Sequence, residues 1–355
     1  MDIILSIDYE IFGDGSGDCK HCRIEPSRRL LDVLDNYDGI CSTFFVDYGE
    51  LRAKRRVSKE LKDGGRRKNI QECLRRTEEQ LMKIVDRGHD VQLHLHPQWL
   101  GADFKDNKWD LPRRGWSTPA IIDEHGYDFF SSLLDEARGY FENLLQPVEN
   151  DYRCNVFRAG GWAIQPEGEV LEALKENGFV VDSSVVPGMS KDGYDYAIDY
   201  TDAPRDRDAW WVTDSVSAPG TEDGLLEVPI SSLDLLGFQR LYKENLINRK
   251  WGDAYPEGCE GNSFGRSFTV FDYLKWLISY QSAPLDFCHF TTQAMVDYLE
   301  GSDKSDRNLI VMMGHSKEFY DQDSFRSLLE QLLDLPATFT DFREFYRDFN
   351  PSGSS

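Results

Sequence analysis

The chain has 355 residues, enough to bury a large core, and it is 40% hydrophobic and 13% aromatic with no low-complexity tract beyond a short Ser/Gly tail. Its formal charge of -23, from 63 acidic against 40 basic side chains, repels phosphate and argues against nonspecific binding to nucleic acid or anionic membranes. No stretch approaches the ~18 apolar residues of a membrane span. The first residues lack the pattern of a signal peptide. The seven irregularly spaced cysteines do not suggest a disulfide framework, so a reducing, cytoplasmic setting is expected.

In chain order, residues 2–9 predict a strand. A helix over 26–37 follows, with Pro26 in its first turn and Leu30, Leu31 and Leu34 at helical spacing. Residues 41–46 predict a strand, 69–87 a helix with Leu74, Leu81, Ile84 and Val85 facing inward, and 89–96 a strand. The connection 97–127 carries Trp99, Trp109 and Trp116 and reads as an insertion over a site. Helix 128–145, strand 154–158 and helix 166–177 come next, with Gly178 stopping the last helix before strand 179–184. Residues 188–224 are polar and rich in Asp, Pro and Gly, hence loop, and 225–230 is a strand. An aromatic helical insertion is expected over 235–285. Helix 291–300, strand 308–313, helix 322–334 and a short strand at 337–340 close the pattern. Repeated strand–helix units imply an α/β fold with a mainly parallel sheet, open or closed into a barrel. One domain over 1–350 is expected, with a disordered tail at 351–355.

Ligands in such folds sit at the C-terminal ends of the strands, and the ionisable residues collect there. In Val91-Gln-Leu-His-Leu-His-Pro97, strand alternation puts His94 and His96 on one face. In Ile3-Ile-Leu-Ser-Ile-Asp-Tyr-Glu10 it puts Ser6, Asp8 and Glu10 on one face. Two histidines and a carboxylate from two strand ends suit a metal site of the two-histidine, one-carboxylate kind; packed histidines are the alternative. Arg158 and His315 fall on the same predicted rim. His89 has the wrong parity and reads as structural, and His21, His125 and His289 lie off the rim, His289 being a candidate cleft-lining residue.

Other features carry weaker expectations. The basic run over 51–76 reads as a solvated helical face, or else as a local site for an anionic substrate. Cys19-Lys-His-Cys22 has the spacing of half a zinc site, but no second pair follows at suitable spacing, and incidental cysteines are expected. Gly13-Asp-Gly-Ser-Gly17 lacks the Gly-Lys-Ser/Thr of a phosphate loop.

Asp8-Tyr-Glu10, Thr43-Phe-Phe45, Gly88-His-Asp90 followed by His94, Phe157-Arg-Ala-Gly-Gly161 and Met313-Gly-His315 occur in the order seen in polysaccharide deacetylases. The chain resembles that NodB-homology group of carbohydrate esterases, and within it the intracellular branch serving surface-polysaccharide synthesis. The resemblance implies a distorted, incomplete (β/α) barrel of about seven parallel strands, enlarged here by the insertions near 97–127, 188–224 and 235–285. It implies a divalent metal, Zn2+ first with Co2+, Ni2+, Mn2+ or Fe2+ as alternatives, and an acetylated sugar or glycan precursor as substrate. Glu10, His94 and His96 would be the metal ligands and Asp8 the base, although Asp8 and Glu10 are interchangeable at this stage. At the family's usual second-histidine position stands Gln98, with His96 the available substitute. Gly160, Gly161, Trp162 and Trp99 are expected to bind substrate, and Asp182 to tune an acidic histidine. Oligomeric state is not legible.

The same residues support the chemistry without the family. A metal lowers the pKa of water towards ~7 and polarises an acyl carbonyl. The free carboxylate of the Asp8/Glu10 pair accepts a proton, Arg158 holds that carboxylate through a bidentate contact, and His315 protonates the leaving group. The alternatives are a C–N or glycosidic hydrolase on the same scaffold, or an inactive carbohydrate-binding homologue.

Overall fold

The computed structural model describes residues 1–106, 108–193, 195–221, 224–244, 270–302 and 308–350. The tail expected at 351–355 and the centre of the expected 235–285 insertion lie outside the described residues.

Strand β1 (Asp2–Tyr9) leads through a loop to α1 (Glu25–Leu34), then to β2 (Thr43–Asp47), α2 (Tyr48–Glu60), α3 (Gly64–Asp86) and β3 (Asp90–Leu95). Asp47 and Asp63 end their preceding segments and accept backbone N–H bonds from Glu50 and from Gly65 and Arg66, capping α2 and α3. The 97–127 insertion is a short hairpin, β4 (Asp103–Lys105) with β5 (Lys108–Asp110), followed by α4 (Pro119–His125). Next come α5 (Tyr127–Leu145), β6 (Val156–Ala159), α6 (Gly168–Glu176) and β7 (Val181–Asp182).

The region expected to be loop over 188–224 instead carries a hairpin, β8 (Ser190–Asp192) with β9 (Ala197–Asp199), and an edge strand β10 (Trp210–Val212). Its Asp, Pro and Gly residues form the turns between short strands. After β11 (Leu225–Glu227), the insertion expected over 235–285 is not wholly helical among the described residues. A two-stranded ribbon, β12 (Ser232–Leu236) with β13 (Tyr280–Pro284), frames α7 (Gly237–Lys243) and α8 (Val270–Ile278). The chain closes with α9 (Thr292–Ser302), β14 (Leu309–His315), α10 (Gln322–Leu333), β15 (Thr338–Thr340) and α11 (Phe342–Phe349). The last helix has no counterpart among the predicted elements.

The main sheet runs β10-β11-β7-β6-β3-β2-β1-β14, with β15 also paired to β1. All of its pairings are parallel except β10 with β11. It curls into an open half-barrel: the alternation implied the parallel sheet, and the family resemblance the incomplete barrel. The two faces of β1 divide the core: Ile3, Leu5, Ile7 and Tyr9 pack outward against the helices, while Ile4 faces inward with Phe45, Val156, Val181 and Leu226. Phe342 of α11 completes this inner cluster, edge-on to Phe45 at 5.4 Å between ring centres. Apolar side chains therefore fill the lower interior and leave the polar side chains at the upper strand ends. No helix among the described residues is long and apolar enough to cross a membrane.

Candidate active site

Register sets the site. Asp8 of β1 lies beside His315 of β14, Asp47 beside His94, and His94 beside Arg158. In a parallel sheet, register partners face the same side, so five strands deliver these groups to one rim. Asp8, His94 and His315 line a cavity of about 250 Å³ together with Glu10, His96, Lys317, Trp116, Trp162 and Tyr196.

Glu10, His94 and His96 are all buried and converge: Glu10 Oε2 lies 3.4 Å from His94 Nε2 and 2.7 Å from His96 Nε2. Their ligand atoms fall within 4.8 Å of one another. Neither Glu10 Oε2 nor His94 Nε2 has a hydrogen-bond partner, which for buried polar atoms calls for an explanation. A divalent cation fits that explanation, because two imidazoles and a carboxylate are the donor set such an ion takes. His94 Nδ1 donates to the Arg158 carbonyl at 2.9 Å, which turns the Nε2 lone pair towards the shared point. Burial opposes ionisation of Glu10, yet Lys317 and the two imidazoles hold its carboxyl well below the usual range. Lys317 Nζ binds the other carboxylate oxygen, Glu10 Oε1.

Behind His96, Asp47 Oδ1 accepts the His96 backbone N–H at 3.3 Å, and burial pushes the Asp47 carboxyl up to about 7. Gln98 is buried, with its amide Nε2 3.0 Å from His96 Nδ1 and 3.2 Å from the Gly13 carbonyl, so it supports His96 from behind.

Asp8 is held differently. Arg158, fully buried, donates from Nη1 to Asp8 Oδ1 at 2.7 Å. Its Nη2 is spent on Ser6 and Ser183 hydroxyls and its Nε on the Ser183 carbonyl. The contact to Asp8 is therefore single and not the expected bidentate one, because the serines take the second prong. The guanidinium also stands 4.0 Å over the Phe45 ring.

His315 Nε2 faces Asp8 Oδ2 at 3.7 Å, while its Nδ1 faces Asp286 Oδ2 at 3.2 Å and Glu318 Oε2 at 3.3 Å. Burial disfavours charge on the ring, but the Asp286 hydrogen bond and the Glu318 charge outweigh it and raise the His315 pKa to about 9. His289 stacks on His315 with ring centres 6.1 Å apart and bonds Glu318 Oε2 at 2.7 Å. It stands behind the rim and does not line the cavity.

Asp182, expected beside the acidic histidine, lies elsewhere. It accepts from Ser184 Oγ at 2.6 Å and pairs with Glu227 in a fully buried couple, where burial raises both carboxyls. Asp286 takes the place beside His315. Trp99 is also corrected: it is 1% exposed, packs on Ile11, Ala53 and Trp109, and is a core residue. Trp116, from the same insertion, lines the cavity in its stead.

Gly160 and Gly161 are close-approach positions. A Cβ on Gly160 would stand 2.7 Å from His96 Cγ and Nδ1, and one on Gly161 would stand 2.8 Å from the Tyr196 hydroxyl. Gly161 and Trp162 both have φ of +59°, which for Trp162 is a costly conformation. The outcome is a tryptophan ring over the cavity, 6.4 Å from the His315 ring. Sequence reasoning missed Lys317, Glu318, Asp286, Trp116 and Tyr196. Lys317 and Glu318 sit directly after His315, which was the one available signal.

No family model and no curated protein matches this chain. Among solved structures it is similar to the 4-alpha-glucanotransferase from Thermococcus litoralis, with a TM-score of 0.50 and 11% identity over 98% of this chain. The chain spans only 40% of that protein, and the likeness is one of fold. It also matches the Xyl-CE4 domain of a multidomain xylanase from the hindgut metagenome of Trinervitermes trinervoides, with a TM-score of 0.38 and 11% identity over 98% of this chain and 91% of that one. A mutant of the peptidoglycan deacetylase PdaC from Bacillus subtilis matches with a TM-score of 0.34 and 10% identity over 100% and 97% of the two chains.

Proposed function

We propose that this chain is a metal-dependent hydrolase that removes an acetyl group from an N-acetylated sugar or glycan precursor. The observation that carries the reading is the pair of buried, unbonded ligand atoms, Glu10 Oε2 and His94 Nε2, with His96 Nε2 beside them. Glu10, His94 and His96 would hold the ion, with Zn2+ the best match to the donors. When bound, such an ion activates water and polarises an acyl carbonyl.

The residues around it divide the proton work. Asp8 accepts a proton at Oδ2, the oxygen left after Arg158 takes Oδ1. Arg158 orients Asp8 from a buried position, and its own carbonyl orients His94. His315 stays protonated at neutral pH because Asp286 and Glu318 face its Nδ1, and it donates from Nε2 to the departing nitrogen. Lys317 keeps Glu10 ionised for the metal. Ligation through His96 Nε2 requires His96 to carry its proton on Nδ1. Gln98 instead presents its amide Nε2, which also donates to the Gly13 carbonyl, so binding the ion through His96 Nε2 requires the Gln98 amide to turn over. Trp116, Trp162 and Tyr196 supply ring faces for a sugar.

A glycosidic reaction needs two carboxyls flanking the substrate. Asp8 and Glu10 come from one strand end and are committed to Arg158 and Lys317, which favours acyl transfer to water. Acetate release from a panel of N-acetylated sugars, using metal-replete protein, tests the reading. Release that disappears in His94→Ala supports it, and metal-replete protein that releases no acetate from any member of the panel refutes it.

A further inference from the structure

Three sulfurs meet at the wall of a second cavity, of about 1040 Å³, that shares no lining residue with the Asp8–His315 site. Cys22 lies in the π-helical turn Lys20–Ile24, and Cys19 immediately precedes it. Cys73 arrives from α3, 54 residues after Cys19. Cys19 and Cys73 form a disulfide, and Cys22 is in sulfur-bonding contact as well. One disulfide joins two sulfurs; here three converge. The expectation of incidental cysteines failed because the third partner comes from a remote helix.

Each sulfur faces an N–H donor. Arg23 Nη2 is 3.3 Å from Cys19 Sγ and 3.7 Å from Cys73 Sγ, Lys54 Nζ is 3.4 Å from Cys73 Sγ, and the Asp18 backbone N–H is 3.2 Å from Cys22 Sγ. Such donors are what surround sulfur that carries negative charge. The charges agree. Arg23 and Lys54 are both buried, and Glu50 pairs with both of them, so two buried cations share one carboxylate. Three thiolates around a divalent cation carry one net negative charge and complete the balance, whereas a disulfide beside a protonated thiol carries none. Thiolates are also the donors that select soft cations.

We propose that in the reduced protein Cys19, Cys22 and Cys73 form a three-thiolate site for a soft divalent cation such as Zn2+. Cys19 and Cys73 line the cavity, so the fourth position faces it and takes water or a small ligand. The ion ties the loop between β1 and α1 to α3. That loop contributes Gly13 to the wall of the active-site cavity, so the second ion braces one side of the first site.

Cobalt added to the full chain, reduced and kept free of oxygen, tests the proposal. An intense near-ultraviolet thiolate-to-cobalt charge-transfer band is expected, which the histidine–carboxylate site cannot produce. Cys73→Ser should lose the band and about one equivalent of bound metal, while Cys41→Ser keeps both. Should Cys73→Ser fail to fold, alkylation of the reduced wild-type protein decides: the ion should shield Cys19, Cys22 and Cys73 together, and a chelator should expose all three together. Absence of both the band and the shielding overturns the proposal. So does a Cys19–Cys73 disulfide that persists under strong reductant, which would assign the three sulfurs to disulfide exchange.

Discussion

The bare Cα of Gly160 lies against the His96 imidazole so closely that a methyl group there would stand 2.7 Å from the ring. Gly160 thus serves His96, and it does so by having no side chain. Gly160→Ala should push His96 out of line and weaken metal binding about 10–100-fold, the usual effect of disturbing a ligand's support. Titration with Zn2+ against a competing chelator measures it. Unchanged affinity would show that His96 is not a ligand.

Asp8 and Glu10 separate by their partners. Asp8→Asn should retain metal and lose roughly 10²–10⁴-fold in rate if Asp8 is the base. It should also cost about 3–5 kcal/mol of stability, because Arg158 would be left buried without its carboxylate. Glu10→Gln should instead release metal. Metal content and denaturant melts on both variants read the difference, and the reverse pattern exchanges the two roles.

The pH profile should report His315. Its protonated form is the working one, so activity should fall as pH rises through about 9. Asp286→Asn removes the hydrogen bond that holds the proton, so the alkaline limb should move to lower pH while metal stays bound. His315→Ala should depress amide cleavage far more than cleavage of an activated aryl acetate, whose leaving group needs no proton. Equal losses on both substrates would move the acid role away from His315.

His89 should make the fold acid-sensitive. Burial lowers its pKa to about 4, against an ordinary value of 6.5, with Ser42 Oγ 3.2 Å from Nδ1. A lowered folded-state value means the neutral ring's contribution is complete above about 6.5 and is lost as pH falls towards 4. The ceiling is about 3 kcal/mol. Urea melts of His89→Gln between these pH values should show a flatter pH dependence than the wild type, and an identical slope would count against this assignment.

What the sequence determined by itself is local and periodic. The alternation in β1 and β3 put Asp8 with Glu10 and His94 with His96, because strand side chains change face at every step. Repeated strand–helix units determined a parallel sheet, and such a sheet gathers its strand ends on one rim. Arg158 and His315 were legible for that reason. Trp99 was misread because apolar aromatics look alike whether they line a cavity or a core, and only packing on Ile11 and Ala53 separates the two. The 188–224 and 235–285 insertions hid a short hairpin and a two-stranded ribbon, since strands of three to five residues carry too little periodicity to register. Register and long-range convergence needed the tertiary structure. Asp286 reaches His315 across two chain segments, Cys73 reaches Cys19 from a helix 54 residues away, and Arg158 divides its donors between Asp8 and two serines. No spacing along the chain encodes these contacts. They follow from how the curled sheet and its helices close-pack, which brings residues together by volume and hydrogen bonding and not by order.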